Sequence, residues 1–159
     1  MKSVISVEVA APPDLVFRLA HDVERWPSLL PHYVSVHVER RADGGAAVAR
    51  FVAVLPLVPW FRVGVPVAWR AIAWNEPEER RLRFQHVGGP TDGMEVTWRI
   101  EPTADGCRVS IEHDFRPRIR PWARIVDRLV VRPIAGRTLA TFKSIAEATS
   151  AAEATSAVS

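Results

Sequence analysis

The sequence predicts an α+β fold: seven strands and a long C-terminal helix, with two short helices between the first strand and the second. Three observations predict it. Apolar and polar residues alternate with period two in seven segments between Val4 and Phe115. After Phe115 the apolar spacing lengthens to that of a helix. Between the first two alternating segments, residues 11–33 hold apolar helical spacing interrupted by Pro27 and Pro31.

Val4–Ala10 is the first strand. Pro13 suits the first turn of the helix that follows, because its missing N–H would be unpaired there anyway. Asp14 adds a carboxylate at the positive end of the helix dipole, and Val16, Leu19 and Ala20 supply an apolar face. Tyr33–Arg40 alternates cleanly and ends at the turn signal Ala42-Asp-Gly-Gly45. Strands three to seven are Ala46–Leu55, Val63–Trp74, Arg80–Val87, Met94–Glu101 and Cys107–Phe115. Turn chemistry at 75–78, 88–93 and 103–106 separates the last four. Trp122, Ile125, Val126, Leu129, Val130, Ile134, Phe142 and Ile145 then line one side of a long helix that Pro133 should kink or split. Residues 1–148 are expected to form one domain. The tail 149–159, part of a repeated Ala-Glu-Ala-Thr-Ser-Ala, is expected to fray.

At 159 residues the chain is long enough for one domain with a real core, and 48% hydrophobic with 25% charged residues is ordinary for a globular protein. No apolar run approaches the roughly 20 residues of a membrane span, and Glu8 spoils the first strand as a secretory segment. A cytoplasmic protein without stable membrane insertion is the expectation. Cys107 is the only cysteine, which excludes an internal disulfide and a cysteine-based zinc site.

Alternation sorts the strands into faces. The fourth turns Val63, Val65, Val67, Trp69, Ala71 and Ala73 inward; the fifth Leu82, Phe84 and His86. The sixth turns in Met94, Val96, Trp98 and Ile100, and the seventh Val109, Ile111, His113 and Phe115. His86 and His113 thus stand on otherwise apolar inner rows. A hairpin centred near Pro90 places His86 opposite Met94, and the next turn places His113 opposite Val96 or Met94, two strands away and roughly 10 Å between backbones. They are either hydrogen-bonded core histidines or polar anchors and acid/base groups in an apolar pocket. With no inward carboxylate beside them they make an incomplete metal site, so no metal is expected.

Around them Trp26, Tyr33, Phe51, Trp69 and Trp98 offer a stacking surface for a flat ligand, with His32 and Tyr33 near the entrance. Phe84, Met94, Ile111 and Phe115 complete the apolar wall. Residues 55–61 are unusually apolar for a connection and suit a lid or a tucked-in loop. Arg116, Arg120, Arg124, Arg128 and Arg132 recur every four residues, forming a slowly spiralling basic strip to which Arg118 and Arg137 add. The strip is a solvated face or a docking site for an acidic partner. No nucleic-acid motif accompanies it.

The Phe17-x-x-x-x-Asp22-Val23-x-x-Trp26-Pro27 pattern and the element order, over about residues 3–148, resemble the START-like (SRPBCC) superfamily. The resemblance implies the helix-grip fold, a curved antiparallel sheet wrapped around the C-terminal helix with a cavity for an apolar molecule between them. Within it the pattern is most similar to the polyketide aromatase/cyclases, which implies aldol ring closure and dehydration of a poly-β-ketone, pocket aromatics at Trp26, Tyr33 and Trp69, and no cofactor. For the strip at Arg120, Arg124, Arg128 and Arg132 it implies an acyl carrier protein, or anionic lipid headgroups for a lipid carrier. Such cyclases also place an arginine on the inner row of the fourth strand. Here Arg70 has the wrong parity unless a bulge intervenes, and the facing of Arg50 is open. Either His86 and His113 carry the polar chemistry, or the protein is a non-catalytic carrier of a lipid, quinone or isoprenoid.

Overall fold

A computed structural model describes residues 1–58, 63–117 and 120–158. Seven strands form one antiparallel sheet in the order β1-β7-β6-β5-β4-β3-β2. They are β1 (Lys2–Val9), β2 (Tyr33–Arg41), β3 (Ala47–Val58), β4 (Val63–Glu76), β5 (Arg81–His86), β6 (Glu95–Thr103) and β7 (Gly106–Asp114). Helices α1 (Pro13–Ala20) and α2 (Trp26–Leu29) lie between β1 and β2. After β7 come α3 (Arg120–Val126), a π turn (Asp127–Val131) and α4 (Arg132–Ser156). Seven antiparallel strands, an early helix pair and a long last helix are the helix-grip arrangement.

The buried faces follow the alternation. Leu82 and Phe84, Val96, Trp98 and Ile100, and Val109, Ile111 and His113 are all buried. On β4 the expected row changes character along its length: Ala71 and Ala73 are buried, Trp69 is half-buried, and Val65 is 43% exposed. Arg70 faces outward, with Nε donating to Glu39 Oε2 at 2.9 Å, and Arg50 sits directly across from it on β3, also exposed. No bulge intervenes between those pairs, so neither arginine reaches the interior. Arg80, expected to begin the fifth strand, instead turns the chain in the left-handed region at φ 48, and its Nε donates to Asp14 on α1 at 2.5 Å.

The Asp-Val-x-x-Trp-Pro motif has a local structural explanation. Asp22 Oδ1 accepts from the Glu24 N–H at 3.2 Å and opens a 3-10 turn over Val23–Arg25. Pro27 stands in the first turn of α2, where no amide donor is lost. The Trp26 indole N–H donates to Ala20 O at 2.9 Å, tying the end of α1 to the start of α2.

The last helix is not a simple kinked rod. The π turn ends two residues before Pro133, which has no N–H to donate to the carbonyl four residues behind it. Over residues 149–156 the tail continues α4. Alanine and glutamate favour helix; Thr149, Thr155 and Ser156 donate back to carbonyls four residues earlier; and Arg18 of α1 donates to Glu153 at 3.1 Å. Further back, Lys143 Nζ donates to Glu8 O at 2.6 Å and Glu147 accepts the Ala10 N–H at 2.9 Å, fastening α4 to the end of β1.

The β6–β7 hairpin passes close under that same strand end. A Cβ on Gly106 would lie 2.1 Å from Val9 O and 2.9 Å from Ala11 N, both backbone atoms. Gly106→Ala is therefore expected to lower the unfolding free energy by about 2 to 4 kcal/mol. Gly44→Ala, at a turn with φ +81 and nothing within 4 Å, should cost only about 1 kcal/mol. Urea denaturation of the two variants checks the contrast.

Candidate functional site

Between the concave sheet and the last helix lies a cavity of about 90 Å³. Trp26, Tyr33, Phe51, Trp69, Phe84, Met94, Trp98 and Ile111 line it together with His86 and His113. Val96 joins them from β6; Val130, Val131, Ile134, Ala135 and Thr138 close it from the helix side. Phe115, expected on the same wall, is 1% exposed but lies off the cavity, in the core, its N–H donating to Met1 O at 2.8 Å. The arginines are elsewhere: Arg124, Arg128 and Arg132 point to solvent on the far side of the helix. The Arg120 side chain, Arg118 and residues 59–61 of the apolar connection lie outside the described residues.

The aromatic wall is built by contact. Trp26 packs edge-on to Tyr33 (5.2 Å between ring centres) and tilted against Trp98 (5.3 Å), while Phe51 stacks on Trp69 at 5.4 Å and 7°. The His86 ring continues that stack, 6.1 Å from Trp69 at 11°. Offset and edge contacts of this kind each add about 1 kcal/mol beyond burial.

The two imidazoles reach the cavity from different heights. The His86 N–H donates to Met94 O, whereas His113 pairs with Val96, whose partner on β5 is Phe84. They are therefore offset by two residues along the sheet, about 12 Å between backbones, and their side chains converge. His86 Nδ1 is bonded to Thr91 Oγ1 at 2.8 Å, which leaves Nε2 as the nitrogen for the cavity. His113 Nδ1 is buried without a partner among the described residues, as are Ser3 Oγ, on the residue paired with it across β1, and Asp127 Oδ1. Asp127 comes from the π turn, and its other oxygen accepts from Arg132 Nε at 2.9 Å. Its negative charge acts on His113.

Burial dominates both titrations. It pushes His86 down to about 4, helped by the neighbouring His113. It pushes His113 down to about 4 as well, with Asp127 opposing and Arg132 assisting. At neutral pH both rings are uncharged, each with one donor and one acceptor nitrogen.

A third histidine belongs to the structure's support. His32, expected near the entrance, is buried, and its Nε2–H donates to Thr138 Oγ1 at 2.8 Å. That assignment is forced, because the single Thr138 hydroxyl hydrogen donates to Ile134 O at 2.8 Å. The same hydroxyl lies against the Tyr33 phenol, whose pKa burial raises. Thr138 was missed in the sequence. The available signal was its place four residues after Ile134, on the apolar stripe.

The family model described as polyketide cyclase / dehydrase and lipid transport matches residues 1–147. The chain belongs to this family. A putative polyketide cyclase of Streptomyces cyaneus is 31% identical over 122 residues, covering 76% of this chain and 75% of the relative. The granaticin polyketide synthase bifunctional cyclase/dehydratase of Streptomyces virginiae is also 31% identical, over 77% of this chain, but the match spans only 39% of that longer protein. Among solved structures, the di-domain ARO/CYC BexL from the BE-7585A biosynthetic pathway is similar at 26% identity and a TM-score of 0.70, over 91% of this chain and 45% of that one. The Zhui aromatase/cyclase from Streptomyces sp. R1128 shares the fold at a TM-score of 0.75 and 19% identity, over 92% of this chain and 93% of that one.

All three histidines have a folded pKa of about 4, below the ordinary 6.5. As pH falls, the unfolded chain binds protons first. The contribution of these imidazoles to stability should be flat above about pH 7 and decline from 6.5 toward 4, by at most about 1.4 kcal/mol per pH unit for each. Urea midpoints at successive pH values test this, and replacing His86 and His113 together with Gln should flatten the slope.

Proposed function

We propose that the protein folds a poly-β-ketone within this cavity and promotes its aldol ring closure and dehydration. The observation that carries this reading is the pair of uncharged imidazoles, His86 and His113, on the wall of an otherwise apolar and aromatic cavity. The names of its family relatives support it. An uncharged imidazole can take a proton from the acidic methylene between two ketones. The resulting enolate carbon attacks a ketone carbon further along the folded chain, forming the ring bond. The second imidazole donates a hydrogen bond to the alkoxide that develops. The proton returns to that oxygen, and loss of the hydroxyl with a neighbouring ring hydrogen releases water and leaves an unsaturated ring. Positioning by the Trp69–Phe51 stack makes the intramolecular attack productive, and acid/base assistance of this kind is worth about 10²- to 10⁴-fold.

The volume of about 90 Å³ is smaller than the ~150 Å³ of an apolar cavity that holds benzene. A multi-ring ligand on this reading shifts the population toward a more open arrangement of the wall.

The test is ring closure of a linear poly-β-ketone analogue, followed by product chromatography, beside a binding titration with a stable aromatic analogue. His86→Ala and His113→Ala should each lower product formation about 10²-fold or more, with analogue affinity changed less than about fivefold. Unchanged turnover in the double variant would remove the imidazoles from the mechanism. Analogue binding with no product from the unaltered protein would leave a carrier.

A further inference from the structure

Residues 116–137 hold seven arginines and one acidic residue, Asp127, a net charge of +6 in a chain whose total is only +3. The sole carboxylate is turned inward: Asp127 Oδ1 is buried and Oδ2 accepts from Arg132. The outward side of α3 and the π turn thus presents exposed Arg124 and Arg128 with no carboxylate of its own segment among them. The same segment exposes two aliphatic side chains, Ile125 at 47% and Leu129 at 58%, and beside them Trp122 at 39%, whose indole N–H donates to Pro90 O at 3.1 Å. In an α-helix a four-residue step drifts by about 40°. A π turn holds more residues per turn, so it offsets that drift. Arg124, Arg128 and Arg132 therefore run nearly straight beside Ile125 and Leu129, rather than spiralling away as an uninterrupted helix would carry them. The opposite side of this segment, at Val130 and Val131, is a wall of the cavity.

We propose that the outward face from Trp122 to Arg132 docks on the surface of an anionic lipid bilayer. The two aliphatic side chains enter the boundary between headgroups and acyl chains, the indole lies at their edge with its N–H kept on Pro90 O, and the arginines meet the lipid phosphates. Two features favour a bilayer over an acidic protein. The apolar side chains stand out from a convex helix, which a fluid acyl layer accepts without a matching groove. A tryptophan among arginines is also the composition of a membrane–water interface. Contact is peripheral, since no described helix is long and apolar enough to cross a membrane. Docking sets the cavity about one helix diameter, roughly 10 Å, from the lipid, so an apolar ligand crosses little water on its way in or out. This surface does not depend on whether the cavity is catalytic.

Co-sedimentation of the full chain with phosphatidylcholine vesicles, with and without phosphatidylglycerol, tests it. The expected result is partition onto the anionic vesicles alone, weakened by salt. Arg124→Gln with Arg128→Gln should weaken it about thirty-fold, at about fivefold per arginine. Ile125→Ser with Leu129→Ser should weaken it at least about tenfold, and Arg124→Lys with Arg128→Lys should retain it within about threefold. These side chains are exposed, and an unchanged near-ultraviolet circular dichroism spectrum confirms that each variant folds. Equal partition onto both vesicle types, or binding indifferent to the serine variant, overturns the proposal. So does an affinity for an acidic acyl carrier protein that the glutamine variant abolishes while anionic vesicles stay unbound.

Discussion

The indole of Trp26 sits where the sheet, the early helix pair and the last helix meet. Its ring touches Tyr33 from β2, Phe51 from β3, Phe84 from β5, Trp98 from β6 and Phe142 from α4. Its N–H is spent on Ala20 O at the end of α1. A single large side chain with its one polar atom satisfied can therefore brace three elements across a concave surface. The brace occupies one end of the space beneath α4. The remainder, between Trp69, His86, His113 and the Val130–Thr138 side of the helix, is the cavity.

The chemistry follows from where that brace leaves room. Placing imidazoles on rows that are otherwise apolar removes their water, and the loss holds them uncharged. An uncharged ring is a base and a hydrogen-bond donor together, which suits proton movement on a ketone chain better than a fixed cation would. The two rings differ behind their reactive edges. His86 is tethered by Thr91 within the β5–β6 turn, while His113 Nδ1 is buried without a partner among the described residues. Among the described residues of β4, the inner row carries no arginine. Arg70 is committed to Glu39 on the outer face.

Much of this was legible in the sequence because a sheet with one buried face writes its alternation directly into the chain. That pattern placed His86 opposite Met94 and turned both histidines and Trp69 inward, whereas Trp26 and Tyr33 were read as pocket aromatics from the family resemblance. Three features were not legible for physical reasons. The π turn at Asp127–Val131 changes hydrogen-bond partners without changing residue type, so helical spacing alone could not separate it from a proline kink. Thr138 looked like an ordinary polar helix residue, because its value lies in joining His32 to Ile134 O. Phe115 kept the right parity but fell just past the last paired residue, Asp114, where the strand direction no longer decides what a side chain meets.

Nitrogen-detected NMR of the histidine rings, with and without a hydroxylated naphthalene as ligand, measures the central claim directly. At pH 7 the His86 and His113 signals should both be those of neutral imidazole, titrating near pH 4, and saturating ligand should shift both while leaving exposed His37 unmoved. Two rings protonated at neutral pH, or signals indifferent to any apolar ring compound, would contradict the account.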